Sequence, residues 1–207
     1  NARFIRFCNL YNIPVMFLED TTGFLPGREQ EHRGIVQAGR AMLDAIVDLR
    51  TPRFLILIRN AFGGAYASYN NYPTGADLVV ALPSTRVAVM GPAGVEYVYK
   101  DELKAIRAAI PKRTADAKAD LMNQGVSEAD ADDQASAAAS QWAKAAEADL
   151  AKRYEREIMN PEEALSLGSV SQIVMPSDLR AVIAKHLMFC LRHYTPEPMG
   201  GVQREFH

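Results

Sequence analysis

The residues with the clearest chemical potential contribute main-chain groups, and they lie in the stretch Arg-Asn-Ala-Phe-Gly-Gly-Ala-Tyr-Ala at positions 59–67. This stretch follows an apolar run at 54–58, which predicts a fully buried strand, and it precedes residues 68–71, which predict the continuation of a short helix. Glycine lets a ligand approach the main chain closely, and the first N–H groups of a helix have no partner within it. The pattern therefore predicts a site for a carboxylate or a developing oxyanion. A tight packing turn is the alternative.

A second glycine-bearing turn, Met-Gly-Pro-Ala-Gly at 90–94, follows a strand predicted at 86–90 and opens a helix predicted at 95–110. Candidates for side-chain catalysis are few. The histidines lack the spacing of a metal site, so no metal is expected, and Ser68 lacks the nucleophile elbow of hydrolases. Glu19 and Asp20 end a predicted strand and are, with equal weight, general bases or turn residues. The sequence thus indicates backbone chemistry at two turns.

The surrounding elements indicate an α/β fold whose sheet positions these turns. Helical spacing opens the chain at 1–11, and a helix predicted at 29–50 is interrupted by Gly34 and Gly39. Apolar strands that do not alternate, separated by helices, are typical of such layering. Strands are predicted at 13–18, 54–58, 77–81, 86–90 and 169–174, and a final amphipathic helix after Pro176.

Residues 112–150 differ in composition from the rest of the chain. They are rich in Ala and Asp and poor in large apolar residues, and Ser-Glu-Ala-Asp at 127–130 resembles a capped helix start. Alanine and the charged residues here favour helix. We therefore expect a long, mostly exposed helix or helical pair that Trp142 anchors.

Composition limits the classes of partner and compartment. The chain has 207 residues, of which 48% are hydrophobic, enough for one sizeable core and an appendage. A net charge of −2 gives no argument for nucleic acid or an anionic membrane, and no apolar run is long enough to span a bilayer. We expect no signal peptide in the residues that open the given sequence. Cys8 and Cys190 are expected to be free thiols, which favours a reducing compartment, the cytoplasm or an organellar matrix.

Three motifs carry a resemblance to a known family. Asp-Thr-Thr-Gly-Phe-Leu-Pro-Gly at 20–27, Ala-Phe-Gly-Gly-Ala-Tyr at 61–66 and Val-Ala-Val-Met-Gly at 87–91 resemble successive motifs of the biotin-dependent acyl-CoA carboxyltransferases. Residues 3–8 and Asn160-Pro161 are similar too, so the resemblance covers most of 2–111 and 152–180. It implies a crotonase-like (ClpP-like) spiral of ββα units, with an Ala-rich helical insert at 112–150. Residues 1–207 would be the carboxyl-terminal of two such domains, incomplete at its amino-terminal edge.

The resemblance also implies a reaction and its participants. Biotin, carried on a separate domain or protein, would exchange a carboxyl group with an acyl-CoA substrate, and the Gly64 and Ala65 amides would face the biotin ureido oxygen. The implied partners are an amino-terminal carboxyltransferase half, a biotin carboxyl carrier, a biotin carboxylase and further copies of this chain in a homo-oligomer. Further binding residues implied are Gly23, Phe24, Gly63, Tyr66, Ala67, Gly91, Pro92, Ala93 and Gly94.

Some positions depart from the family pattern and leave alternatives open. The family usually has Pro where Thr22 stands and a basic residue where Asn60 stands. A decarboxylase subunit that runs the transfer in reverse, of the glutaconyl- or malonyl-CoA type, is one alternative, and a non-catalytic crotonase-like assembly module is another. A crotonase-type hydratase or hydrolase acting alone would need an acid/base carboxylate near the turn, from Glu19, Glu31 or Glu96.

Overall fold

The computed structural model describes residues 1–24, 27–68 and 70–198. They fall into two compact units. The sheet unit comprises Asn1–Gly91 and the segment that begins at Met159, and the helical unit is Pro92–Ile158. No helix in the described ranges is long and apolar enough to cross a membrane.

A parallel sheet forms the centre of the sheet unit. Its strands in the described residues are β1 (Val15–Thr21), β2 (Arg53–Phe62), β3 (Leu78–Ala81), β4 (Arg86–Ala88) and β5 (Gln172–Ile173). The strand order is β1-β2-β3-β5, and β4 pairs with β2. β3 pairs with residues 54–57 of β2 and β4 pairs with residues 60–62. These two short strands therefore follow one another along the edge of β2 that faces away from β1.

The helices number nine within the described ranges. They are α1 (Ala2–Leu10), α2 (Arg28–His32), α3 (Ile35–Val47), α4 (Gly63–Ser68), α5 (Val95–Val98), α6 (Lys100–Asn123), α7 (Glu128–Glu157), α8 (Pro161–Ser166) and α9 (Leu179–His193). The interruption predicted at Gly34 in the helical range 29–50 is confirmed, because the chain forms α2 and α3 with Gly34 between them in a left-handed conformation at φ 84°. The interruption predicted at Gly39 is wrong. Gly39 remains inside α3.

Both faces of the sheet are buried along residues 53–57 of β2 and along β3, which explains why these two strands read as continuous apolar runs. Leu55 and Leu57 of β2 pack in a cluster with residues of β3, β4 and α8. Phe54 and Ile56 point the other way and pack with β3 against α9. A third cluster joins α1 and α3 to the start of β1. Hydrophobic burial on both faces thus fixes the strand ends at which the glycine turns lie.

The helical unit is dominated by α6 and α7. One side of α7 presents an alanine every fourth residue, at 131, 135, 139 and 143, and all four are buried. Ser127 caps this helix by accepting a hydrogen bond from the Asp130 N–H. Trp142 stacks on Arg113 of α6, with 3.8 Å from the guanidinium carbon to the ring centroid. Small side chains and this stack hold the two helices together.

The helix predicted at 95–110 has different bounds in the structure. A short helix, α5, ends at Val98, and α6 then runs through Pro111 to Asn123. Proline removes one helical hydrogen bond and is unfavourable by about 3 kcal/mol in a helix interior. Packing on α7 and an ion pair from Arg107 to Glu147 of α7 hold α6 in place on both sides of Pro111. The range 112–150 lies inside the helical unit, and its status as an insert remains a prediction.

Candidate active site

The strand-to-helix turn is formed by the last residue of β2 and the first of α4. β2 extends to Phe62, four residues beyond the end predicted at residue 58, because β4 pairs with its last three residues. Gly63 follows at once with φ 61°, and a Cβ there would lie 3.0 Å from the Val89 carbonyl oxygen. Only glycine fits both the left-handed conformation and this close approach. The predicted sharp entry from strand to helix is confirmed.

The helix that leaves the turn is shorter than expected. α4 ends at Ser68, whose hydroxyl donates to the Gly64 carbonyl oxygen at 2.7 Å. The predicted continuation to residue 71 is wrong, because Asn70 adopts a left-handed conformation at φ 74° that a helix does not accommodate. Tyr69 lies outside the described residues. The turn therefore sits on a helix of six residues, and its individual N–H groups matter more than a helix dipole.

Gly64 and Ala65 supply the candidate donors. Gly64 is exposed, whereas Ala65 is 1% exposed and anchors the helix to the core. Their N–H groups belong to the first turn of α4, which has no acceptors within the helix. Among the described residues, neither N–H takes part in a backbone hydrogen bond of the turns and loops. A Cβ on Gly64 would point at the Phe24 ring, 3.9 Å away. The absence of a side chain at Gly64 therefore leaves open space next to this ring.

Gly23 and Phe24 lie at the same end of the sheet. A Cβ on Gly23 would lie 4.0 Å from the Phe62 carbonyl oxygen, so the loop after β1 runs over the end of β2. The Phe24 side chain is half-exposed next to Gly64. The structure thus brings together Gly23, Phe24, Gly63 and Gly64, and their binding role remains a prediction. Leu25 and Pro26 of the same motif lie outside the described residues.

Tyr66 and Ala67 complete the turn motif in different ways. The Tyr66 hydroxyl donates to the Ser169 carbonyl oxygen at 3.3 Å, and its ring packs on the core. Burial, with a contribution from the Glu19 carboxylate, raises the pKa of Tyr66 to about 12. This phenol is held in the core and stays protonated at neutral pH. Ala67 is exposed on α4.

The second predicted turn divides between the two units. Gly91 ends the first segment of the sheet unit, and a Cβ there would lie 3.2 Å from the Phe62 ring, so a side chain would displace that ring. Pro92, Ala93 and Gly94 form a single 3-10 turn in the helical unit, with Gly94 buried and the other two exposed. A binding role for these four residues remains a prediction.

A hydrogen-bond network lies next to the turn. The sequence singled out Asp20 and Asn60 but did not indicate that they are hydrogen-bonded to each other. Asp20 Oδ2 accepts from the Arg59 guanidinium at 2.8 and 3.1 Å, and Oδ1 accepts from the main-chain and side-chain N–H groups of Asn60. Asn60 in turn accepts from Arg86. The Arg59 hydrogen bond, helped by those from Asn60, holds the pKa of Asp20 below its usual range. Asp20 is thus an ionised structural acceptor.

Glu19, the neighbouring residue of β1, has the opposite environment. It is 4% exposed, and neither carboxyl oxygen has a hydrogen-bond partner among the described residues. Burial raises its pKa from 4.5 to about 8. It lines a cavity of about 360 Å³ together with apolar side chains that include Phe4, Leu18 and Met42. At neutral pH Glu19 is therefore predominantly a neutral carboxylic acid.

The other carboxylates considered for acid/base chemistry are exposed. Glu31 lies on α2, and Glu96 lies in the helical unit, where it accepts from Arg107 at 2.9 Å. No cluster of three or more histidine, cysteine, aspartate or glutamate side chains suited to a metal ion occurs in the described part of the chain. The arrangement at the turn therefore offers N–H donors and neutralised carboxyl groups.

Comparisons with known proteins identify the family of the chain. Residues 1–197 match the family described as Carboxyl transferase domain. The chain belongs to this family. It is 35% identical over 199 residues to the putative propionyl-CoA carboxylase beta chain of Bacillus subtilis, covering 95% of this chain and 32% of that protein. It is 32% identical over 196 residues to the methylmalonyl-CoA carboxyltransferase 12S subunit of Propionibacterium freudenreichii subsp. shermanii, covering 94% and 31%.

The carboxyl transferase chain also matches a solved structure. The transcarboxylase 12S crystal structure, described as a hexamer assembly with methylmalonyl-coenzyme A and methylmalonic acid bound, superposes with a TM-score of 0.72 and 28% identity. The match covers 100% of this chain and 33% of that one. The predicted family and crotonase-like fold are confirmed. This chain spans about a third of the length of the curated relatives it matches.

Proposed function

We propose that this chain supplies the biotin side of a carboxyltransferase active site, in which a carboxyl group passes between biotin and an acyl-CoA. The observation that carries the proposal is the turn at Gly63, where β2 ends and two N–H groups of α4 lie beside an exposed glycine. Family membership gives the reaction class, and the turn supplies the chemistry that such a reaction needs.

The residues at the turn fit a small, flat polar ring. The position that a Cβ would take on Gly64 is open up to the Phe24 ring at 3.9 Å, and both residues are accessible. When bound, biotin supplies a ureido group that carries the carboxyl group and takes up negative charge on its oxygen as the carboxyl group leaves. The residues at the turn suit this ureido group, because its oxygen needs N–H donors and its ring needs an apolar surface such as the Phe24 side chain.

The main-chain N–H groups of Gly64 and Ala65 would donate to that oxygen. Donors that are already oriented stabilise a developing negative charge, and loss of one such donor costs on the order of 3–4 kcal/mol in well-studied oxyanion holes. Burial of Ala65 and the close approach of the Val89 carbonyl, which leaves no room for a side chain at Gly63, keep the helix start in place. Phe24 would shield the same region from water. The reaction then needs no side-chain base from this turn.

The acyl-CoA and the protein partners belong to the same proposal. The transcarboxylase 12S structure contains methylmalonyl-coenzyme A and is described as a hexamer assembly. We propose an acyl-CoA substrate held mainly by an amino-terminal carboxyltransferase half, biotin delivered by a carboxyl carrier, a biotin carboxylase that loads it, and a homo-oligomer of this chain. The proposed binding residues are those of the turn, with Gly23 and Ala67 beside it and residues 91–94 on the second turn. The proposed location is the cytoplasm or an organellar matrix.

Replacement of Gly64 by Val tests the proposal. A branched side chain fills the opening towards Phe24, so Gly64→Val should lose carboxyl transfer while circular dichroism stays that of the parent protein. The matched control is Gly39→Val, because a Cβ at Gly39 meets nothing within 4 Å. Transfer is measured with free biotin and with the amino-terminal half present, in both directions, as carboxylation of acyl-CoA and as decarboxylation of malonyl- or methylmalonyl-CoA.

The outcomes separate the alternatives. Parent-like transfer by a folded Gly64→Val protein would contradict the oxyanion role. Transfer that proceeds only towards decarboxylation identifies the reverse-running subunit, and a complete absence of biotin-dependent chemistry in the assembled parent protein identifies an assembly module.

A further inference from the structure

Asn60 connects three strands through its side-chain amide. Its Nδ2 donates to Asp20 Oδ1 at 2.9 Å, and its Oδ1 accepts from Arg86 Nε at 3.1 Å and Nη2 at 2.7 Å. Asp20 lies on β1, Asn60 on β2 and Arg86 on β4. Asn60 is 6% exposed. A buried amide whose oxygen and nitrogen are both used in this way fixes the relative positions of the strands that contribute to it.

The backbone pairing of β2 with its neighbours is irregular just before Asn60, so a side-chain link between the strands is needed there. Along β1 and β2 the register shifts between Glu19, which pairs with Leu57, and Thr21, which pairs with Ala61. On the other edge of β2, pairing with β3 ends at Leu57 and pairing with β4 begins at Asn60. Asp20 Oδ1 accepts from the Asn60 main-chain N–H at 3.1 Å at this break. The carboxylate therefore acts as an acceptor where the ladder is irregular.

The network reaches the glycine turn through Phe62. The Arg86 guanidinium lies over the Phe62 ring, 5.9 Å from its centroid. Gly91 also lies against this ring, since a Cβ there would lie 3.2 Å away. Phe62 directly precedes Gly63. A shift of Arg86 or Asn60 would therefore move the last residue of β2 and rotate the N–H groups that follow it.

We propose that Asp20, Asn60 and Arg86 are positioning residues that hold the end of β2 so that the Gly64 and Ala65 N–H groups keep their orientation. The expected effect on catalysis rests on the proposed function, whereas the expected effect on the orientation of the N–H groups does not. The three residues act through the backbone. Asn60 is neutral where the family usually carries a basic residue, and its side-chain amide joins Asp20 to the Arg86 guanidinium of β4.

The test compares Asp20→Ala with Asp20→Asn, which keeps an acceptor oxygen, and with Asp77→Ala. Asp77 is the matched control, because its Oδ2 accepts from the Arg53 N–H at 2.8 Å at the opposite end of β2. Residual dipolar couplings report the orientation of the Gly64 and Ala65 N–H vectors, and hydrogen exchange reports the protection of the amides at 60–62. Both are measured on this chain, and the kcat and KM of transfer are measured with its partner half present.

We expect Asp20→Ala to speed exchange at residue 60 by about tenfold or more and to change the Gly64 coupling. It should lower kcat by about 100-fold with KM for biotin within about threefold, the loss that a 1 Å misplacement produces. Asp20→Asn should restore most of the amide protection at residue 60, of the Gly64 coupling and of kcat. Asp77→Ala should lower stability and leave the Gly64 coupling and kcat unchanged.

Two results would overturn the inference. One is an unchanged Gly64 coupling in Asp20→Ala despite faster exchange at residue 60. The other is an equal loss of kcat in Asp20→Ala and Asp77→Ala, which would indicate general destabilisation. If the parent protein shows no transfer, the proposed function fails, while the couplings still decide whether the network orients the turn.

Discussion

The buried carboxyl group of Glu19 predicts a strong pH dependence of stability, and Glu19→Gln is the substitution that isolates it. Glu19 lies in β1 with both oxygens lacking hydrogen-bond partners among the described residues. Apolar side chains of α1, α3 and β1 line its cavity, and Tyr66 of α4 is the titratable group whose pKa it raises. Since burial raises the pKa of Glu19 from 4.5 to about 8, the folded protein holds a proton that the unfolded chain has lost.

The sign of the effect follows from proton binding. Between pH 4.5 and about 8 the folded state keeps the Glu19 proton and the unfolded state does not, so the free energy of unfolding decreases as the pH rises. Each pH unit in that interval removes about 1.4 kcal/mol, so the full effect is on the order of 5 kcal/mol. Below pH 4.5 the contribution is fully present, and above pH 8 it is lost.

Glutamine has nearly the same shape and does not ionise, so Glu19→Gln should remove this slope. At pH 5 the variant should be slightly less stable than the parent, because an unpaired buried amide costs more to take out of water than the equally unpaired neutral acid that it replaces. At pH 8.5 it should be more stable by about 2–4 kcal/mol, since the parent then buries a charge. The order of stability of the two proteins therefore inverts between these pH values.

Urea unfolding at pH 5 and pH 8.5 measures this inversion. Labelling of the Cys8 thiol is a suitable probe, because Cys8 is buried beside Val15 at the start of β1 and so reports on the sheet unit. Glu31→Gln is the matched control, since Glu31 is exposed on α2, and it should leave the pH dependence unchanged. Parallel stability curves for the parent and Glu19→Gln across this range would refute the reasoning.

Three further predictions concern the turn, the helical unit and the whole chain. Gly63→Ala should destabilise the sheet unit by roughly 1–3 kcal/mol in thermal unfolding, because its Cβ would lie 3.0 Å from the Val89 carbonyl oxygen; an unchanged Tm would contradict this. Excision of residues 115–148 should alter assembly or carrier affinity in sedimentation and binding assays and spare transfer to free biotin, and loss of that transfer with assembly intact would place the segment in the site. This chain alone should show no acyl-CoA carboxylation, because negative charge develops on both the biotin ureido oxygen and the thioester enolate and the turn at Gly63 supplies donors for one of them. Robust biotin-dependent activity of the 207-residue chain would refute the two-half arrangement.

The turn could be predicted from the sequence because its signals are local. An apolar run, two adjacent glycines and a small residue lie within a dozen positions, and each has a direct backbone consequence. The exact strand end could not be predicted in this way. β2 continues to Phe62 only because β4 pairs with residues 60–62, and that register depends on a strand more than twenty residues later.

The side-chain network and the buried acid needed the tertiary structure. Asp20 and Asn60 are forty residues apart, and Arg86 is remote from both, so no spacing in the sequence links them. The sequence marks Asn60 only as a departure from the basic residue usual in the family and does not indicate which residues it contacts. Alternation along β1 places Val15, Phe17 and Glu19 on one face, yet only packing shows that this face is buried at Glu19.

Glu19 and Asp20 are adjacent, and the two environments together determine the charge near the turn. Asp20 is ionised, but the Arg59 guanidinium 2.8 Å away compensates its charge. Glu19 points to the opposite face and stays mostly neutral below about pH 8. An uncompensated carboxylate near the Gly64 and Ala65 N–H groups would repel a developing oxyanion, most strongly in a region of low dielectric. The same two consecutive acidic residues that resemble general bases in the sequence are therefore held in states that leave the turn free of net negative charge.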